Sequence, residues 1–174
     1  MNVRSTLAAV FGTCFLAAAG TGSAFAACGQ HKVPTYDDVT AIRYARTACF
    51  GHCPNYEVLF TQQGYYYVGR GDVAKHGTYE APLGDAFSRA RRALAAHEFY
   101  KLNARESNVM DVPHLVITVE RCSVTTRLNW PQLDARADIT ALFDALDAIV
   151  ARGAWKKTRD SVDSPLSFTA PIVP

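Results

Sequence analysis

A short cysteine turn set between two alternating stretches constrains this chain most. Cys49-Phe50-Gly51-His52-Cys53-Pro54 follows Val39–Thr47, which reads Val-Thr-Ala-Ile-Arg-Tyr-Ala-Arg-Thr. It precedes a stretch in which Tyr56, Val58 and Phe60 alternate with Glu57, Leu59 and Thr61. β-Branched and aromatic residues at every second position mark half-buried strands. A disulfide needs its two Cα atoms within about 7 Å of each other. An extended chain does not bring Cys49 and Cys53 that close, whereas a reversal at Gly51 does. Gly51 is expected at positive φ, which glycine takes at little steric cost. The turn is then expected to aim Phe50 inward and His52 outward.

The alternation recurs downstream. Gln62-Gln63-Gly64 is a hairpin signal. Tyr65 to Arg70 reads as a tyrosine-rich third strand, with Gly69 and Gly71 marking a bend. A short fourth strand is expected over Gly77–Ala81. Leu83, Phe87, Ala90 and Leu94 then switch to helical spacing, which predicts a helix over about Asp85–His97. Leu115, Ile117 and Val119 mark a fifth strand, and Val124, Thr126 and Leu128 a sixth, closed by Pro131. Ile139, Leu142, Phe143, Leu146, Ile149 and Val150 form the longest helical stripe, with Asp138 as N-cap and Gly153 beyond the last turn. Asp134, Asp138, Asp144 and Asp147 read as capping and a solvated face. Strands, helix, strands, helix predicts an α+β fold: an antiparallel sheet of about five or six strands with two helices packed on one face. About 130 residues suffice for one core. The expected organisation is a signal peptide over 1–26, a leader over 27–38, one domain over 39–157 and a mobile tail over 158–174.

The first segment reads as an address. Arg4 is its one charge, Leu7 to Ala19 is apolar, and Ser23-Ala24-Phe25-Ala26 carries small residues where a signal peptidase cuts. The apolar run is shorter than the roughly 20 residues a bilayer span needs, so no transmembrane segment is expected. Export leaves Cys28, Cys49, Cys53 and Cys122, an even set in an oxidising compartment, read as Cys49–Cys53 and Cys28–Cys122. A periplasmic or secreted location follows. The alternative is a lipoprotein anchored through Cys28, since Phe25-Ala26-Ala27-Cys28 resembles a lipoprotein box, although such boxes usually begin with Leu. With 18 Lys plus Arg against 16 Asp plus Glu, the net charge of +2 argues against a nucleic-acid partner.

Arg46-Thr47-Ala48-Cys49-Phe50-Gly51-His52-Cys53-Pro54-Asn55-Tyr56, followed by a strand, a Gly turn and Tyr67-Val68-Gly69, resembles a bacterial family of exported domains of unknown function. The family's hallmark is Arg-x-x-Cys-Phe-Gly-x-Cys-Pro-x-Tyr. Asp111-Val112-Pro113 before a strand resembles it too, and the likeness spans roughly Val39 to Trp155. It implies one domain and the cysteine turn; it carries no activity over.

Each candidate chemistry meets a plainer reading. Redox pairs are usually Cys-x-x-Cys at a helix start, where the dipole lowers a thiol pKa; here the spacing is longer and a strand follows, which favours a structural bridge. Cys49, His52, Cys53 and Cys122 are ligand types for zinc, but thiols pair first in an oxidising compartment, so neither metal nor cofactor is expected. His97, His114 and Asp111 are Cys–His hydrolase partners by type only. Arg89, Arg91 and Arg92 form a small basic patch, read as a solvated helix face. Tyr65 and Tyr67 share one strand face and Tyr66 the other; one face is core, and the other is a possible binding surface beside Tyr56 or Tyr44. The reading is a non-catalytic binding domain with an envelope protein or polymer as partner. The alternative is a thiol-redox or Cys-dependent enzyme centred on Cys49, His52 and Cys53.

Overall fold

The computed structural model describes residues 35–82, 84–104, 112–122 and 124–160. The expected signal peptide, most of the leader, Cys28, Asp111 and all but the first residues of the expected tail lie outside the described residues. The strands are β1 (Val39–Arg46), β2 (Pro54–Thr61), β3 (Tyr65–Gly71), β4 (Gly77–Ala81), β5 (His114–Arg121), β6 (Val124–Pro131) and β7 (Lys156–Arg159). Two helices, α1 (Ala86–Ala96) and α2 (Ala137–Ala151), interrupt them. All seven strands join one sheet in the order β6-β5-β1-β2-β3-β4-β7, and every neighbouring pair is antiparallel.

The expectation of five or six strands is corrected by this seven-stranded sheet. The extra strand, β7, reads Lys-Lys-Thr-Arg and is exposed along its whole length. Backbone pairing to β4 makes it a strand, so no apolar alternation announces it. A short, lysine-bearing edge is also a poor template for further strand addition.

Residues paired across antiparallel strands share a face. Ile42 faces Phe60 and Val119, Tyr44 faces Val58 and Ile117, and Val58 faces Tyr67. These side chains are buried beneath α1 and α2, which supply Phe87, Ala90, Leu94, Leu142, Phe143 and Leu146. Both helices therefore lie on one face. The other face carries Arg43, Glu57, Tyr66, Arg70 and Arg127, with Arg43 Nε 3.3 Å from Glu57 Oε1. One-sided burial of this kind is what an antiparallel sheet permits.

Two details of α2 differ from expectation. Arg136, not Asp138, is the N-cap; Asp138 lies inside the first turn, where its Oδ1 accepts the Ile139 amide at 3.0 Å. Asp147 does not belong to a solvated face.

Candidate functional site

Arg46 ends β1 directly opposite Tyr56 on β2, and Tyr44 precedes Arg46 on the same face. Across from them α2 presents Asp147. Tyr44 Oη donates to Asp147 Oδ1 at 3.0 Å, and Tyr56 Oη donates to the same oxygen at 2.5 Å. Arg46 Nη2 donates to Oδ2 at 2.8 Å, and its Nε donates to the Tyr56 oxygen at 2.9 Å. The guanidinium also lies 3.7 Å from Asp144 and 5.7 Å from the Phe143 ring centre. One carboxylate thus gathers two phenols and a guanidinium, from a position in α2 about one hundred residues further along the chain.

The surroundings lock these protons in place. Burial, then the Asp147 charge and hydrogen bond, hold the Tyr44 and Tyr56 phenols well above the ordinary tyrosine range. Tyr67 is pushed up to about 12, chiefly by burial. Burial opposes the charge on Arg46, but its hydrogen bond to Asp147 and the nearby negative charge leave its pKa raised.

Tyr56 and Asp147 of this circuit help wall a groove of about 330 Å³ between the end of the sheet, the turn after β3 and the last turns of α2. Tyr56 and Tyr67 stack at 5.6 Å along it, and Pro54, Val73, Ala74 and Val150 make it mostly apolar. Asp72 and Lys75 also line it. Gly69 is what lets the turn fold back so closely: a Cβ there would overlap the Lys75 carbonyl oxygen.

The cysteine turn borders the groove. Cys49 and Cys53 are bridged with Cα atoms 5.7 Å apart, and Gly51 sits at φ 132°. His52 Nδ1 lies 3.9 Å from Asp72 Oδ2. The expectation that Phe50 points inward is corrected: its side chain is 93% exposed. The loop projects past the ends of β1 and β2, where no core lies beneath it. Cys122 is also disulfide-bonded; Cys28, its expected partner, is outside the described residues. Neither Cys49 nor Cys53 stands at a helix start.

The tyrosine run divides as strand geometry demands. Tyr65 packs on Phe60 and Trp155, and Tyr67 reaches the groove. Tyr66 lies on the opposite face, paired with Leu59 and Glu80. Tyr44 and Tyr56 are on the Tyr65–Tyr67 side, where Tyr44, Tyr65 and Tyr67 are buried and Tyr56 is half-buried. His114 shares a 2.9 Å contact with Asn129. In the basic patch, Arg89 pairs with Asp85 and Arg91 with Asp37. Among the described residues no group of three or more His, Cys, Asp or Glu is placed to hold a metal ion. No described helix is long and apolar enough to cross a membrane.

Asp147, expected on a solvated helix face, is instead the centre of the site. Its signal is its spacing: it lies four residues after Phe143 and three before Val150, on the border of the apolar stripe. A carboxylate there needs donors or a cation, and Arg46 and Tyr56 of the cysteine motif are those donors.

The bridge and its glycine are separately testable. Replacing both Cys49 and Cys53 by Ser is expected to leave a folded domain destabilised by about 2 kcal/mol, the loop-closure value for so small a ring. Gly51→Val should cost at least as much, although a Cβ there meets no atom within 4 Å. The cost comes from the backbone, since a β-branched residue resists this φ by about 2–3 kcal/mol, the upper part of the range for strained residues. Urea unfolding of the two variants checks both values; an unchanged midpoint for Gly51→Val would contradict the backbone argument.

The family model Domain of unknown function (DUF6438) matches residues 40–150, more than half of the chain. No curated protein and no solved structure matches it.

Proposed function

Because the chain belongs to the DUF6438 family, domains of unknown function, we propose a role from its geometry: a non-catalytic binding domain of the bacterial cell envelope. The signal-like segment over residues 1–26 and the cysteine pairs support a periplasmic or secreted location. The Asp147 circuit carries the binding reading. Its carboxylate already accepts from Tyr44, Tyr56 and Arg46, and its phenols are held protonated. A general acid or base must exchange a proton near neutral pH; the Tyr44 and Tyr56 phenols instead keep theirs beside an apolar groove. The thiol-redox alternative lacks support, because the bridged cysteines sit on a strand-to-strand loop with no helix start to stabilise a thiolate.

The groove's mostly apolar lining, with few polar groups converging on it, favours an apolar group from a protein over a polyhydroxylated polymer. Amide NMR spectra recorded with N-acetyl-phenylalaninamide test this. Shifts are expected to converge on Tyr56, Tyr67, Lys75 and Ala151. Shifts there with soluble peptidoglycan fragments, and none with the phenylalanine probe, would replace the protein partner by a polymer. Disulfide-exchange activity lost in Cys49→Ser without loss of stability would replace the binding reading by the enzyme one.

A further inference from the structure

Phe50 is 93% exposed, an unusual state for a large aromatic that a disulfide and a positive-φ glycine hold in place. Aromatic side chains presented rigidly at a surface lose little entropy on docking and are typical interface anchors. Leu133, 79% exposed, follows β6 at the same end of the sheet, because Pro131 pairs with His114 and Leu115 pairs with Arg46. Two of the three large exposed hydrophobics among the described residues therefore lie at one end.

The same end carries a hole as well as a knob. The groove begins at Pro54, next to Cys53, and its rim residue Asp72 lies 3.9 Å from His52. Its volume of about 330 Å³ accommodates a phenyl ring, and Tyr56 and Tyr67 line it with aromatic surface. Phe50 does not fill this neighbouring groove, since its ring is almost wholly exposed.

We propose that the groove's partner is a second copy of this chain, Phe50 of each protomer seated in the groove of the other about a twofold axis. This rests on the reading of the groove as a docking site and names its occupant. A twofold interface is self-complementary: if residue i meets j, then j meets i. Knob and hole side by side on one surface satisfy that condition. Charge does too, because the groove carries both Asp72 and Lys75, with His52 beside it. Each sign finds its opposite across the axis, where a rim of one sign would repel its copy.

Sedimentation equilibrium on protein purified from expression of the full chain tests the proposal with two variants. Phe50→Ser removes the knob and leaves the hole; Ala151→Trp fills the hole and leaves the knob. The wild type is expected to dimerise, and each variant to weaken dimerisation at least about a hundredfold, because two anchors are lost at once. An equimolar mixture of the two variants should associate more strongly than either alone, since one knob then meets one open groove. A loss of folding does not produce that rescue. A wild type that stays monomeric, a dimer that neither variant weakens, or a mixture without rescue would each overturn the proposal. N-acetyl-phenylalaninamide separates the two levels. If a monomeric wild type still binds it in the groove, only the second copy is wrong; if the probe fails as well, the docking site itself is wrong.

Discussion

Phe143→Ala is expected to lower the unfolding free energy by about 3–5 kcal/mol, the range for truncating a buried Phe where the site collapses only partly. Phe143 is fully buried at the middle of α2. Its ring meets Tyr44 edge-on at 5.8 Å and Trp130 edge-on at 6.4 Å, so it joins β1 and β6 to the helix. The Arg46 guanidinium lies over the same ring. These neighbours sit on strands and are held by the sheet's hydrogen bonds, so they cannot move in to fill the space. Denaturant unfolding gives the value directly. A loss well below 1 kcal/mol would show that α2 does not pack as described.

Asp147→Ala is expected to cost about 2–3 kcal/mol, and its character should differ. Breaking a buried ion pair strands the remaining charge and typically costs 3–5 kcal/mol. Here about a third of the Asp147 side chain stays exposed, against 13% for Arg46, so water recovers part of that loss. Two phenols lose their acceptor at the same time. Replacing the pair together, Arg46→Met with Asp147→Leu, should cost less than Asp147→Ala alone, because no charge is left buried. If the double variant is the less stable one, the circuit contributes net stability beyond mutual compensation.

The same circuit sets the alkaline limit. Tyr44 and Tyr56 have folded-state pKa values above the unfolded value of about 10. Below pH 10 both states hold these protons and stability does not depend on them. Above it the unfolded chain releases protons that the folded chain retains, so stability falls with rising pH through the folded values. In Asp147→Ala the carboxylate no longer disfavours phenolate, so the folded values come down and the fall in stability should level off at a lower pH than in the wild type. Stability measured across the alkaline range in the two proteins checks this; a fall that levels off at the same pH in both would place the cause in burial alone.

Local order determined much of this protein in advance. The alternation of Tyr56, Val58 and Phe60, the hairpin at Gln62-Gln63-Gly64 and the stripe from Ile139 to Ile149 depend on periods of two and 3.6 residues. Those periods are properties of a segment by itself, and the elements lie close to where they predict. The reversal at Gly51 was equally legible, because bridge geometry and backbone sterics act within a few residues. Tertiary structure alone decided the rest. β7 carries no periodic signal and exists because the β4 edge was open to backbone pairing. Phe50 points outward because the cysteine loop overshoots the sheet, which no spacing of residues records. Arg46 and Tyr56 stood in the cysteine motif without a visible purpose, and Asp147 passed for a surface carboxylate. They meet across a separation of 101 positions for Arg46, because α2 packs over the end of β1 and β2. A hydrogen-bonded circuit is a relation between elements, and it comes into being only when burial places them together.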